Sequence, residues 1–305
     1  MQAVKQIKKL IFLLATFFLQ INLAFGDGTI KPLIWEVNND KNNTLHRLYL
    51  MGSIHFGDQS MYPLPATIME KFNSSNQLAV ELDITRIDPT QIQIIFAKLG
   101  TYSKGKQDLR SSIANKTWEQ LEHVSSQMGG SAESFNAMKP WLVAMQLITN
   151  QLIVSGYQEA YGIDRFFLAE ATMAKKRIIE LETMESQLNL LASFSSEEQE
   201  AFLAQSLTDF SSSPKMLHQL FEAWKSGDEQ FIEELLLRGA MGFGLGMENM
   251  YQQIIVDRNN VMTRRAEELL QQPGESFFLV GLGHLVGNKG IVAQLKSKGY
   301  ILNKL

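Results

Sequence analysis

Two short motifs recur in this chain, and both carry side chains that can do chemistry. The segments LYLMGSIHFGD and FFLVGLGHLVG each run from an apolar stretch into Gly-x-x-His, which places His55 and His284 just after a predicted strand. The segments LAVELDI and RIIELET each end in Glu-Leu-acid and supply Glu81 and Glu182. The order His, acid, acid, His along the chain predicts two related half-units, each with one histidine and one carboxylate.

These residue types favour a metal site. Ligands of open α/β sheets bind outside the carboxyl ends of the strands, and a carboxylate inside an apolar strand is costly to bury unless it is paired or bound to a metal. Two neutral imidazoles and one or two carboxylates can hold a divalent metal and leave positions open for water. Such a metal lowers the pKa of its bound water to about 7.

Each candidate residue has a predicted role in that chemistry. His55 and His284 are expected to be metal ligands, and Glu81 a ligand or the general base. Glu182 is the candidate fourth ligand, and Arg258 is the candidate for stabilising an oxyanion.

Ordinary structural roles compete with these interpretations. A histidine after a strand is more often a hydrogen-bonded turn residue than a ligand, and only the repetition of the motif makes the two alternatives equal. Arg258 and Asn259 in VDRNNVM also suit a solvated helix face. Asp164 in GIDR suits a helix N-cap.

A nucleotide site is a further alternative, because Gly281, Gly283 and Gly287 approximate the glycine-rich dinucleotide motif. That motif needs an acidic partner about 20 residues further on to bind the ribose. No Asp or Glu follows Glu275, and the remaining residues suffice for one helix and one strand. The dinucleotide interpretation therefore fails.

Composition excludes several other classes. The 305 residues are 45% hydrophobic and carry a formal net charge of −4. This mildly acidic balance gives no basic footprint for nucleic acid. The absence of cysteine excludes disulfides, thiol catalysis and zinc–thiolate sites.

The N-terminus is expected to be a secretory signal peptide over residues 1–26. Lys5, Lys8 and Lys9 precede the apolar run LIFLLATFFLQINLAFG, which ends with small residues, Ala24 and Gly26, at positions −3 and −1. An uncleaved membrane anchor is the alternative. Cleavage would leave a mature chain that starts at Asp27, has no second long apolar run, and is expected to be periplasmic or secreted.

Periodicity predicts a single α/β domain over residues 27–305, with strands towards both ends and a large helical insertion between them. A hairpin is expected from PLIWEV and HRLYLMGSIH around the turn NNDKNN. Buried strands are expected at QLAVELDI, RIIELET, FFLVGLGH and YILNKL. Capping boxes are predicted for two of the intervening helices, at Thr117–Gln120 and at Ser195–Glu198.

Several segments together resemble the TraB/GumN family, which is related to the Tiki proteins. They are YLMGSIHFGD, YPLP, AVELD, KPW, YGIDRFF, LETMESQLNLL, DRNNVM and the C-terminal FFLVGLGHLVGNKGIVAQLKSKGY, in order from about residue 33 to the end. The resemblance implies an erythromycin-esterase-like core of two related halves. The Tiki branch implies a metal-dependent peptidase that uses Mn²⁺ or Co²⁺, with His55, His284 and Glu81 at its site. Without a C-terminal anchor, the chain looks like the short, GumN-like bacterial branch.

The sequence therefore predicts an exported metal-dependent hydrolase that acts on peptides. Two other functions remain open: a protein that binds a metal, peptide or other small ligand in the same cleft without turnover, and an ester hydrolase that needs no metal. The sequence does not identify the substrate.

Overall fold

The structure is a computed structural model that describes residues 30–38, 46–103, 105, 107–237 and 247–305. The expected signal peptide and most of the NNDKNN turn lie outside these ranges. Within the described ranges, no helix combines the length and the apolar character that a membrane span requires.

The centre of the molecule is a mixed six-stranded sheet with the order β4-β3-β5-β2-β1-β6. Four neighbouring strands, β4, β3, β5 and β2, are parallel, and β1 runs antiparallel to both β2 and β6. The strands are β1 (Ile34–Asn38), β2 (Arg47–Ser53), β3 (Gln77–Val80), β4 (Arg177–Glu180), β5 (Glu275–Gly281) and β6 (Ile301–Lys304). The sheet and the helices confirm the predicted mixed α/β class.

Helices fill the connections between the strands. They are α1 (Ala66–Ser74), α2 (Pro89–Gly100), α3 (Leu109–Ser112), α4 (Asn115–Gln127), α5 (Pro140–Val154), α6 (Ile163–Met173), α7 (Met184–Ser193), α8 (Ser196–Ser226), α9 (Glu229–Leu237), α10 (Glu248–Tyr251), α11 (Arg258–Leu270) and α12 (Ile291–Ser297). A π-helical segment, Gln252–Asp257, joins α10 to α11.

The apolar side chains form two cores. One surrounds the sheet and includes Phe72, Phe167 and Phe277, whose rings contact one another. The other lies among the helices of the insertion and includes Trp141 and Leu203. The helical insertion therefore has apolar packing of its own, while the sheet core fixes the strand ends.

Several local predictions can be compared with the structure. The β1–β2 hairpin is confirmed, with Ile34 opposite Met51. The Ser195–Glu198 capping box is also confirmed. The Thr117–Gln120 box is wrong, because α4 begins at Asn115 and the Thr117 hydroxyl donates to Glu200 instead.

Both edge strands of the sheet differ from the buried strands that the sequence predicts. Strand β6 pairs only with β1 among the described strands, and three of its four residues are exposed. Strand β4 differs in a similar way. It lies at the edge of the sheet and pairs only with β3 among the described strands. Arg177 and Glu180 are exposed at its two ends. An edge strand buries less of its side-chain surface than a central one, and the short segment RIIE does not reveal which position it takes.

Candidate functional site

The parallel pairing brings the repeated motifs to one end of the sheet. Strands β2 and β5 are neighbours, with Ser53 opposite Gly281, so both Gly-x-x-His turns leave the sheet side by side. Strands β3 and β4 are also neighbours, and the amide of Glu182 donates to the carbonyl of Glu81 at 3.0 Å. The carboxyl ends of four parallel strands therefore carry all of the motif side chains.

His55 follows β2 and is held by a carboxylate from another element. Its Nδ1 lies 2.8 Å from Oδ2 of Asp164, and the other carboxylate oxygen of Asp164 accepts from the Ser53 hydroxyl at 2.8 Å. Asp164 is buried in the first turn of α6, whereas the His55 side chain is 61% exposed. The charge of Asp164 raises the pKa of His55 to about 9, so the imidazole is protonated at neutral pH.

A glycine makes the contact between α6 and the His55 turn possible. A β-carbon placed on Gly162 would lie only 2.2 Å from the carbonyl oxygen of His55. Gly162 is the N-cap of α6, so its lack of a side chain lets the helix start press against this turn. Asp164, two residues further on, can then reach the imidazole.

His284 follows β5 in a different environment. Its side chain is 6% exposed, and its Nδ1 lies 2.6 Å from the amide oxygen of Asn259. The amide nitrogen of Asn259 donates to the carbonyl of Lys289 at 2.9 Å, so the imidazole N–H is the donor to Asn259. Burial lowers the pKa of His284 to about 4, an effect that the nearby Glu81 only partly offsets.

Glu81 is the buried carboxylate of the site. One oxygen accepts from the amide of Gly281 at 2.5 Å and lies 3.8 Å from Nε2 of His284, and the other accepts from Arg258 at 2.5 Å. Burial alone raises the pKa of Glu81, but His284, Arg258 and the Gly281 amide outweigh it and lower the pKa to about 2. Because His284 is neutral at neutral pH, the cations that keep Glu81 ionised there are Arg258 and the protonated His55.

Arg258 also binds the second carboxylate. Its Nε and one terminal nitrogen donate to the two oxygens of Glu182 at 2.7 and 2.6 Å, and its other terminal nitrogen donates to the Ile254 carbonyl at 3.2 Å. Burial opposes the charge, but the bonds to Glu182 and Glu81 outweigh it and raise the pKa of Arg258. The π-helical segment ends at Asp257, directly before Arg258, and such segments often occur at functional sites.

These contacts define what each candidate can do. His55 and His284 both use Nδ1 for a fixed partner, which leaves Nε2 available. The guanidinium of Arg258 is committed to Glu81 and Glu182, and both oxygens of Glu182 are used by that bond. Within the described part of the chain, no three His, Asp or Glu side chains stand ready to hold a metal as they are arranged.

Sequence reasoning missed the partners of the two histidines. From the sequence, Asp164 is expected to be a helix N-cap, and Asn259 is expected to lie on a solvated helix face. In the structure both side chains are buried, and each forms a hydrogen bond with an imidazole. Both residues lie inside segments that carry the family resemblance, and this location is the feature of the sequence that could have identified them. Polar residues in such segments are therefore candidate site residues in the same way as the histidines.

The fold and the site define a class of protein: a mixed α/β protein with histidine and carboxylate side chains at the carboxyl ends of its parallel strands. The chain belongs to the TraB/PrgY/gumN family, whose model matches residues 33–304. It is similar to YbaP of Escherichia coli (strain K12), described as an uncharacterized protein, with 28% identity over 248 residues, 81% of this chain and 87% of that protein. YbaP of Shigella flexneri matches with the same identity and coverage. No solved structure matches the chain.

Proposed function

We propose that this protein is an exported, metal-dependent hydrolase that cleaves peptide bonds. One observation carries the proposal: both motif histidines are held through Nδ1 by a polar side chain, beside a buried, ionised Glu81. Metal-ligating histidines almost always donate their second ring nitrogen to a carboxylate or an amide oxygen in this way. An erythromycin-esterase-like relationship of the fold is part of the same proposal.

The donor chemistry of the residues fits a divalent metal such as Mn²⁺ or Co²⁺. Nε2 of His55, Nε2 of His284 and the carboxylate of Glu81 would hold it, with Asp164 and Asn259 as outer partners. Nitrogen and carboxylate donors without thiolates suit these metals. Glu182 fits less well as a fourth ligand, because both of its oxygens bind Arg258 and one of them also accepts from Gln187.

When bound, the metal supplies a water of lowered pKa and polarises a carbonyl oxygen. The protein residues position that chemistry. Arg258 holds Glu81 in its ionised form, which suits a ligand better than a proton acceptor, since a general base works best with a pKa near the working pH. Asp164 and Asn259 fix the ring orientations of His55 and His284. In this arrangement Arg258 orients carboxylates, and a direct contact with an oxyanion requires it to release one of them.

A metal-independent ester hydrolase is the second candidate, favoured by the His55–Asp164 pair. An imidazole held by a carboxylate can take a proton from water or from a nucleophile. With a pKa of about 9, however, His55 is protonated at neutral pH and acts as a base only in alkaline solution. Ester cleavage that rises with pH towards 9 and survives chelation would favour this candidate.

The proposal is tested first by metal-dependent stabilisation. A ligand that binds only the folded state stabilises it by about 2.7 kcal/mol at 100 times its Kd, so Mn²⁺ or Co²⁺ should raise the Tm of the chelated wild type. His55→Ala and His284→Ala should abolish this rise. His218→Ala, on an exposed face of α8, is the matched control and should keep it.

The outcomes separate the competing functions. Equal stabilisation of wild type, His55→Ala and His284→Ala would remove the metal site from these strand ends. Clear stabilisation of wild type without cleavage of any peptide in a diverse library would establish a binding protein in place of a peptidase.

A further inference from the structure

A cavity of about 330 Å³ adjoins the candidate site. Ile54, His55 and Phe56, which follow β2 directly, form one wall, and helices α5, α8 and α9 supply the others. The indole N–H of Trp224 donates to the carbonyl of Gly52 at 2.9 Å and so fastens α8 to the end of β2. His55 is thus shared between the cavity and the candidate metal site, which makes the two adjacent.

The walls of this cavity are apolar. Met145, Ile148 and Leu220 are among the residues that line it. Two of its polar side chains are already satisfied within the protein, since Gln151 donates to the Phe210 carbonyl and Ser206 to the Phe202 carbonyl. These side chains therefore offer little to a polar ligand, and the cavity favours an apolar one.

A carboxyl group in the wall of the cavity adds a second restriction on the ligand. Asp209 lines the cavity, and its burial raises its pKa even though Gln205 donates to it at 2.9 Å. A charged carboxylate from a substrate would lose its hydration here and face Asp209, while the protonated His55 in the same wall is already paired with Asp164. Acidic side chains are therefore disfavoured.

We infer that this cavity binds one large apolar side chain, aromatic or long aliphatic, of a peptide whose bond is cleaved next to His55. The inference rests on the proposed function and adds the substrate class. The volume lies at the lower end for ligand pockets, which suits a side chain rather than a folded partner. Met145 lines the cavity and is 37% exposed, and we place the entrance for the side chain beside it.

The experiment compares peptides that differ at one position next to the cleaved bond: Phe, Leu, Ala or Glu. Burial of a Phe or Leu side chain should favour those peptides over Ala by about 10- to 100-fold in kcat/KM, and Glu should be cleaved most slowly. Ile148→Trp, which fills the cavity, should erase the preference, so that the Phe, Leu and Ala peptides are cleaved with kcat/KM values within about twofold of one another. Met145→Trp gives the same test from a more exposed position.

Ile153→Trp is the matched control. It lies on the same helix, α5, introduces the same side chain, and is 56% exposed outside the cavity lining. It should retain the wild-type preference for Phe and Leu.

A binding measurement without catalysis separates this inference from the proposed function. Calorimetry with N-acetyl-phenylalanine amide and N-acetyl-alanine amide on the chelated protein should show tighter binding of the former, lost in Ile148→Trp and retained in Ile153→Trp. Binding with this pattern but no cleavage would overturn the peptidase and support the pocket. Cleavage with no apolar preference, or with a preference unchanged in both cavity variants, would overturn the pocket and leave the peptidase standing. Binding of decanoic acid but not of the phenylalanine amide would overturn the peptide side chain as occupant.

Discussion

The two Gly-x-x-His strand ends have the same local sequence pattern and opposite environments. His55 is 61% exposed and paired with the anionic Asp164, which raises its pKa to about 9. His284 is 6% exposed and paired with the neutral Asn259, and burial lowers its pKa to about 4. At neutral pH one imidazole is therefore charged and the other is neutral.

The difference shows that the Gly-x-x-His motif places each histidine at a strand end, whereas the neighbouring helices determine the protonation state of its imidazole. Asp164 comes from α6 and Asn259 from α11, so each histidine is tuned by a separate part of the fold. A metal ion would bind His284 through a nitrogen that is already neutral. Binding to His55 would require the imidazole to lose a proton. Metal affinity should accordingly rise with pH, because protonated histidine does not bind metals.

The largest expected effect comes from Arg258, which supports the buried half of the site. Its side chain is 17% exposed, and Arg258→Met leaves the buried carboxylates of Glu81 and Glu182 without their cation. Removing one partner of a buried ion pair costs about 3–5 kcal/mol of the free energy of unfolding. Chemical denaturation of the metal-free protein at pH 7 measures this loss.

A second arginine of the same helix provides the control. Arg265 is 42% exposed and pairs with Glu268 on the surface of α11. Arg265→Met should change the free energy of unfolding by only about 0–1 kcal/mol. Equal losses in the two variants would show that Arg258 does not support a buried ionic site.

A smaller effect tests the exposed half. Asp164→Asn keeps a hydrogen-bond partner for His55 but removes the charge, so the pKa of His55 should fall from about 9 towards its ordinary value of about 6.5. An NMR titration of the histidine ring protons in the metal-free protein measures this. The reciprocal change, Asn259→Asp, should raise the pKa of His284. A pKa of His55 that is unchanged in Asp164→Asn would show that the charge of Asp164 does not cause the difference between the two histidines.

The same pair gives a pH dependence of stability. Because the folded-state pKa of His55 is raised, the stabilisation by Asp164 is complete below about pH 6.5 and is lost as the pH rises through about 9. The exposure of His55 lets solvent screen the pair, so the decline should be smaller than a pKa of about 9 alone would give. Thermal unfolding between pH 6 and 10 should show this decline in wild type and not in Asp164→Asn.

The sequence was sufficient to predict the mixed α/β class, the β1–β2 hairpin and most strand positions, because the apolar runs and turn residues are local signals. The carboxyl-end location of His55, His284 and Glu81 also followed from where those runs stop. The edge position of β4 did not follow, since a strand of four residues carries no information about its neighbours.

The partners of the site residues could not be predicted from local sequence patterns. Asp164 contacts His55 across 109 positions of the chain, and Arg258 contacts Glu81 across 177. Such contacts depend on how α6 and α11 pack against the sheet, and helix propensity alone assigns both residues to ordinary positions. The apolar cavity could not be predicted for the same reason, because its walls come from the turn after β2 and from three separate helices.

The central claim is tested most directly by the rate of peptide cleavage in wild type and Glu81→Gln, assayed together with Mn²⁺ or Co²⁺ at equal protein concentration. The variant keeps the size of the side chain and loses the carboxylate that we propose as ligand or base. We predict that wild-type cleavage stops on chelation and that Glu81→Gln is slower by about 10²–10⁴-fold. Equal cleavage by the two proteins, or wild-type cleavage that persists in the presence of chelator, would contradict the account.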